Sequence, residues 1–215
     1  FFLCMVLSLC IPCFAQTFSA TNPDGDSINY EITSDTTVAV IKGDGSYVGS
    51  IIIPDSVEYS GNMYAVSTIK DYAFQNCNNL EYVEIPNTVI SIGGRAFENC
   101  TALDSVTIGN SVKTIEYDAF KHTGLKSAVL PNSLEFINYH AFDGCSSLDS
   151  VSLGNSLKTI RQNVFSGCSK LTKVNVNDIR TLFNIEFTNS SSNPLSIAKR
   201  LYLDGTEVTE LVIPE

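Results

Sequence analysis

Apolar residues along this chain fall into columns that return at a near-constant step. Phe74, Phe97, Phe120, Phe142 and Phe165 are separated by 23, 23, 22 and 23 residues. Four aliphatic columns keep the same period: Leu80, Leu103, Leu125, Leu148 and Leu171; Val83, Val106, Ala128, Val151 and Val174; Ile85, Ile108, Leu130, Leu153 and Val176; and Ile69, Ile92, Ile115, Ile137 and Ile160. A fixed period in the twenties predicts a solenoid, each repeat forming one turn stacked on the next. Val83 and Ile85 stand two apart, which is strand alternation, so one strand per unit is expected, parallel to its neighbours. Pro86, Gly109, Pro131 and Gly154, each followed by Asn, close those strands with turn chemistry. The segment Gly93-Gly94-Arg95-Ala96-Phe97 and its equivalents lack room for a long helix. A single helical or 3₁₀ turn is expected around each Ala-Phe pair, on the side opposite the strand. The Phe120 unit, Phe120-Lys121-His122-Thr123-Gly124-Leu125, is one residue short, and the missing residue is placed at its neighbours' cysteine position.

The running pattern Ile-x-x-x-Ala-Phe-x-x-Cys-x-x-Leu-x-x-Val-x-Ile-Pro resembles the BspA-like leucine-rich repeat, with five successive units carrying it across about residues 47–215. The stretch Ser192-Asn193-Pro194-Leu195, Ala198, Leu201-Tyr202-Leu203, Gly205 and Leu211-Val212-Ile213-Pro214 is similar to a longer variant of the same repeat. The resemblance implies an α/β leucine-rich repeat solenoid with a parallel β-sheet. It also implies a secreted or cell-surface protein, mostly bacterial, associated with adhesion to host matrix proteins.

The ends read differently. Residues 1–15 combine a short apolar run with Cys13-Phe14-Ala15, whose small residues suit cleavage before Gln16. This predicts a secretory signal peptide, truncated at its start, and a lipid anchor on Cys10 or Cys13 is the alternative. Residues 16–46 carry no repeat and are expected to form an N-terminal β cap, with strands at Asn29–Ile32 and Val38–Ile41. The solenoid is assigned to 47–215, with a hairpin insert at 57–66 about Ser60-Gly61-Asn62 and the longer variant repeat over 177–215. Leu211-Val212-Ile213-Pro214-Glu215 reads as the opening of a further repeat, so the C-terminus is expected to be incomplete.

Composition narrows the function classes. The formal net charge is -10 and Trp is absent. An acidic surface is a poor partner for nucleic acid, whose phosphates call for clustered Lys and Arg, and for anionic lipid. No membrane insertion is expected once the signal is removed. Outside residues 1–15 the cysteines are Cys77, Cys100, Cys145 and Cys168, all in one column. Stacked strands about 4.8 Å apart put Cys77–Cys100 and Cys145–Cys168 within disulfide reach, yet buried free thiols serving as small apolar filler is the preferred reading. A linear ladder offers no tetrahedral zinc cluster. His122 and His140 occupy different repeat positions, and neither pairs with a nucleophile in the pattern. Asn22-Pro23-Asp24-Gly25-Asp26-Ser27 starts like a calcium loop, but Ser27 and Thr33 stand where glycine and the bidentate acid belong, so a solvated turn is expected. No cofactor is implied.

The strand positions between the inward columns are left to face solvent: Tyr82 and Glu84, Ser105 and Thr107, Ser127 and Val129, Ser150 and Ser152, Lys173 and Asn175. They are expected to tile one continuous face, rich in small hydroxyls, suited to an extracellular polypeptide or glycan rather than a small charged metabolite. The resulting expectation is a non-enzymatic binding module, adhesin-like, with a structural spacer that projects a further C-terminal domain as the alternative.

Overall fold

The computed structural model describes residues 16–43 and 47–209. The leader read over residues 1–15 and the strand read over 211–215 lie outside the described residues. In chain order the strands are β1 (Thr17–Thr21), β2 (Ser27–Ile32), β3 (Thr37–Val40), β4 (Val48–Ile52), β5 (Ser56–Tyr59), β6 (Asn62–Ile69), β7 (Asn79–Glu84), β8 (Ser91–Ile92), β9 (Ser105–Thr107) and β10 (Thr114–Ile115). They continue as β11 (Ser127–Val129), β12 (Phe136–Ile137), β13 (Ser150–Leu153), β14 (Thr159–Ile160), β15 (Lys173–Val176), β16 (Glu186–Phe187), β17 (Leu201–Leu203) and β18 (Thr206–Glu207). Among the described residues helix is scarce: α1 (Arg180–Asn184), α2 (Leu195–Ala198) and one 3₁₀ turn at Ser190–Ser192, all after the regular repeats.

The molecule is a parallel β-solenoid, and each regular coil contributes two strands rather than the one expected. The first ladder is the Val-x-Ile strand. The second is a two-residue strand ending in the Ile column, and β6, β8, β10, β12, β14 and β16 pair through it. Its register sets Ile69 beside Ile92, Ile92 beside Ile115, and so on to Ile160 beside Phe187. Five of these residues, Ile69, Ile92, Ile115, Ile137 and Ile160, are wholly buried. Two residues are too few for strand alternation to register in sequence, so only the buried Ile signalled this side.

Around each Ala-Phe pair the chain forms stacked β-turns, not helix. The turns close locally, as in Ala96 N–H to the Gly93 carbonyl and Cys100 N–H to the Phe97 carbonyl. The third residue of each such turn is left-handed: Tyr72 and Asn76, Arg95 and Asn99, Asp118 and His122. A left-handed residue every fourth position cannot continue a right-handed helix. It instead turns alternate peptides outward, so that Phe74 N–H donates to the Ala96 carbonyl at 2.7 Å and Phe97 N–H to the Ala119 carbonyl at 2.7 Å in the next coil. All three sides of the coil are therefore hydrogen-bonded to the neighbouring coil.

Side chains of the Phe column stack inside. The Phe74–Phe97, Phe97–Phe120, Phe120–Phe142 and Phe142–Phe165 centroids lie 5.0, 5.1, 5.3 and 5.7 Å apart, with planes within 8° of parallel. Each such pair adds about 0.5–1.5 kcal/mol beyond area burial. Tyr47 tilts onto the free end of the stack, 4.9 Å from Phe74. At this end β1, β2 and β3 form an antiparallel set, and β3 pairs parallel with β6. β5 and β6 form an antiparallel hairpin across Ser60 and Gly61, both at positive φ, which is the backbone that a two-residue hairpin turn requires.

The Val-x-Ile ladder is not one sheet. β4, β7 and β9 form one piece, and β11, β13, β15, β17 and β18 form another. The break lies at the coil that is one residue short. The shortening itself falls after Thr123, not at the cysteine position: Thr123 N–H bonds the Phe120 carbonyl just as Cys100 N–H bonds that of Phe97. Gly124 then does the work of Thr101 and Ala102, passing so close to the Thr101 carbonyl that a Cβ would sit 2.4 Å from it. Lys126 N–H still reaches the Asp104 carbonyl, but β9 and β11 do not pair beyond that. Val106, facing the small Ala128 across this seam, is the one member of its column left half-buried.

Candidate binding face

The first ladder positions the ten outward residues named from the pattern. Register places Tyr82 beside Ser105 and Glu84 beside Thr107 on one side of the seam. On the other side it aligns Ser127, Ser150 and Lys173 in one row, and Val129, Ser152 and Asn175 in a second. All ten are partly or fully solvent-accessible, and Val129 is 64% exposed. The residues share one side of the solenoid, but the expected continuous sheet is divided between β9 and β11, so the face has two hydrogen-bonded halves.

Polar groups on this face brace one another across coils. The Tyr82 and Thr107 hydroxyls lie 2.9 Å apart, and Asn175 Nδ2 donates to Ser152 Oγ at 3.3 Å. At the strand entry Asp149 accepts from the Thr172 hydroxyl at 2.7 Å and from Lys173 Nζ at 3.4 Å. The Thr172 hydrogen bond, then Lys173, holds the Asp149 carboxyl below its ordinary range. The face is thus a shallow lattice of mostly hydroxyl and amide groups, with one carboxylate, Glu84, one ammonium, Lys173, and one exposed apolar side chain, Val129, set among them.

The other candidate groups have structural positions. The four cysteines among the described residues, Cys77, Cys100, Cys145 and Cys168, are free and buried. The Cys100, Cys145 and Cys168 thiols donate to the carbonyls of Phe74, Phe120 and Phe142 in the preceding coil, at 3.0, 3.1 and 3.2 Å. Burial pushes the Cys145 thiol up to about 11, so it stays protonated and poorly nucleophilic. His122 Nδ1 meets Asn99 Oδ1 at 3.2 Å, and Asn99 Nδ2 donates to Asn76 Oδ1 at 3.0 Å, so this histidine extends an amide ladder. His140 Nδ1 lies 3.3 Å from Asp143 Oδ2 within its own turn. In the loop at 22–27 the Asn22 carboxamide accepts from the Asp24 and Asp26 amides and donates to the Ile52 carbonyl, and so closes the turn and ties it to the first coil.

Sequence reasoning missed a recess on the second ladder. Thr68, Lys70, Asp71, Ser91, Gly93, Glu116 and Tyr117 line a cavity of about 560 Å³. The signal was present: at the paired positions Lys70-Asp71, Glu116-Tyr117, Asn138-Tyr139 and Arg161-Gln162, one coil alone carries Gly93-Gly94.

A family model described as the BspA type leucine-rich repeat region matches residues 67–193 in six copies. The chain belongs to the BspA-type leucine-rich repeat family. Solved structures agree with this membership. A leucine-rich repeat protein of T. pallidum is 28% identical with a TM-score of 0.60, the match covering 75% of this chain and 68% of that one. A leucine-rich repeat protein of Bacteroides ovatus is 29% identical with a TM-score of 0.52, covering 77% of this chain and 53% of its own. The pneumococcal vaccine antigen PcpA shares the fold, with a TM-score of 0.59 at 16% identity over 88% of this chain and 53% of that one. Comparison with curated proteins finds no match. BspA-type repeats and their fold typically serve as non-enzymatic, protein-binding modules, and no helix among the described residues is long and apolar enough to cross a membrane.

Proposed function

We propose that the chain is a non-enzymatic, secreted or cell-surface binding module whose Val-x-Ile strand face engages an extracellular polypeptide in an adhesin-like contact. The observation that carries this reading is the face built by Tyr82, Glu84, Ser105, Thr107, Ser127, Val129, Ser150, Ser152, Lys173 and Asn175. Their side chains repeat at the coil spacing, remain accessible and pair laterally. A surface that presents hydroxyls and amides in rows can hydrogen-bond an extended chain, while its sparse charge leaves selectivity to shape. The N-terminal strands before Asp44 act as the cap of the stack, and the leader and a surface location follow the family resemblance.

The test is binding of the purified protein to immobilised matrix glycoproteins and to a glycan panel, beside a Ser105→Arg/Ser150→Arg double variant. Both serines point outward, so the variant is expected to keep its melting temperature and lose binding. Binding that survives both arginines would move the partner off this face. A well-folded protein that binds nothing would favour a spacer that projects another part of the molecule.

A further inference from the structure

We infer that the recess at Gly93-Gly94 is a site for a neutral hexopyranose, such as a terminal sugar of a glycan. This site lies on the second ladder and is independent of the strand-face reading. The recess exists because one coil lacks side chains where its neighbours carry them. The backbones of Lys70-Asp71 and Glu116-Tyr117 flank it two coil spacings or about 10 Å apart, and the Tyr117 side chain leans across Gly94 towards Asp71 and floors one end of the recess. The glycines are sterically required. A Cβ on Gly93 would lie 2.5 Å from the Asp71 nitrogen, and one on Gly94 would lie 2.3 Å from the Tyr117 ring. Tyr117 thus lies against the bare backbone of Gly94, and its hydroxyl sits 3.5 Å from Asp71 Oδ2. Asp71 Oδ1 accepts the Gly94 N–H at 2.7 Å, which fixes that carboxylate in the wall. Asn138 Nδ2 does the same for Glu116 Oε2 at 2.7 Å.

Charge selects the ligand class. Asp71 and Glu116 in the walls oppose an anion. A cation would share the recess with the Lys70 ammonium, which lines it beside Glu31 at 2.6 Å, and would find the Tyr117 ring already approached at 5.8 Å by the Arg95 guanidinium, which sits outside the lining and pairs with Asp118 at 3.2 Å. A neutral polyol avoids both penalties. Its hydroxyls can donate to the two carboxylates, where hydrogen bonds are strong, and accept from Ser91 and Thr68. Its C–H face can pack on the Tyr117 ring, in a cavity whose volume suits a small ligand. The Tyr117 hydroxyl stays neutral as well, pushed up to about 12 by the neighbouring Tyr72 hydroxyl, partial burial and Asp71.

The experiment is a ¹H–¹⁵N titration of the whole chain with glucose, galactose, mannose and N-acetylglucosamine, with phosphate and methylammonium as charged controls. At least one sugar is expected to shift the Gly93 and Gly94 amides saturably, with a Kd in the low-millimolar range natural to a ligand of about a dozen heavy atoms. Tyr117→Ala should weaken that binding about tenfold. Glu116→Gln, which keeps the shape of the wall, should weaken it without disturbing the rest of the spectrum. The Ser105→Arg/Ser150→Arg variant should bind the sugar unchanged, so failure here and failure of the strand-face reading remain separable. The inference is overturned if no sugar shifts these glycines, if only phosphate or methylammonium does, or if both recess variants bind like the unaltered chain.

Discussion

The Thr123 hydroxyl and the Cys145 thiol meet 3.2 Å apart in the interior, and both also reach the Phe120 carbonyl, at 2.9 and 3.1 Å. Threonine has taken a cysteine's place in the column, adding a hydroxyl that bonds its own turn while the thiol of the next coil bonds the same acceptor. Thr123→Val removes the hydroxyl but leaves that carbonyl partnered by Cys145. It is expected to cost about 1 kcal/mol in urea unfolding. Thr123→Cys, which completes the thiol column, should stay within about 0.5 kcal/mol of the original. An equal loss for both would mean that side-chain shape, not the hydroxyl, decides this position.

Phe120 is wholly buried at the centre of the ring stack. Phe120→Ala opens a cavity that the hydrogen-bonded coils cannot collapse into, at an expected cost of about 3–5 kcal/mol. Ser150→Ala on the outward side of β13 should change stability by less than about 0.5 kcal/mol. Comparable melting shifts for the two would contradict the assignment of inner and outer faces.

Gly109 and Gly154 alternate with Pro86 and Pro131 in one column because each glycine passes over a proline carbonyl. A Cβ would fall 2.2 Å from the Pro86 oxygen at Gly109 and 2.1 Å from that of Pro131 at Gly154. Those contacts are with backbone that cannot rotate away, so Gly154→Ala should destabilise by about 1–3 kcal/mol through overpacking. Calorimetry on the single variant decides it, and an unchanged melting temperature would show that the coil spacing yields here.

Burial raises the Cys145 thiol to about 11, while the unfolded thiol titrates near its ordinary value of about 8.5. The unfolded chain therefore loses its proton first. The stabilising contribution is fully present below about pH 8.5 and falls as pH rises from there towards about 11, at up to about 1.4 kcal/mol per pH unit. Burial also raises Cys168. Urea midpoints of the original chain and Cys145→Ala should converge as pH rises from about 8 to about 10, because the alanine variant has no thiol to lose a proton at that site. Parallel pH dependences would indicate that the thiol is not desolvated.

The spacing of Phe74, Phe97, Phe120, Phe142 and Phe165 by itself determined that the chain is a solenoid. The Leu, Val and Ile columns determined which residues point inward, because a stack of identical turns can bury only what recurs at the same place in every turn. The outward set from Tyr82 to Asn175 followed from strand alternation alone. Tertiary structure decided what depends on contacts between coils. Whether Ala96-Phe97 becomes a helical turn or a β-turn rests on left-handed residues such as Arg95 and Asn99, whose cost is offset by hydrogen bonds to a neighbouring coil. The two-residue strands exist only because the next coil pairs with them. The seam between β9 and β11 and the recess at Gly93-Gly94 arise where one unit departs from the repeat. A repeat pattern averages such departures away, and only stacking one coil on the next turns a missing residue or a missing side chain into a gap.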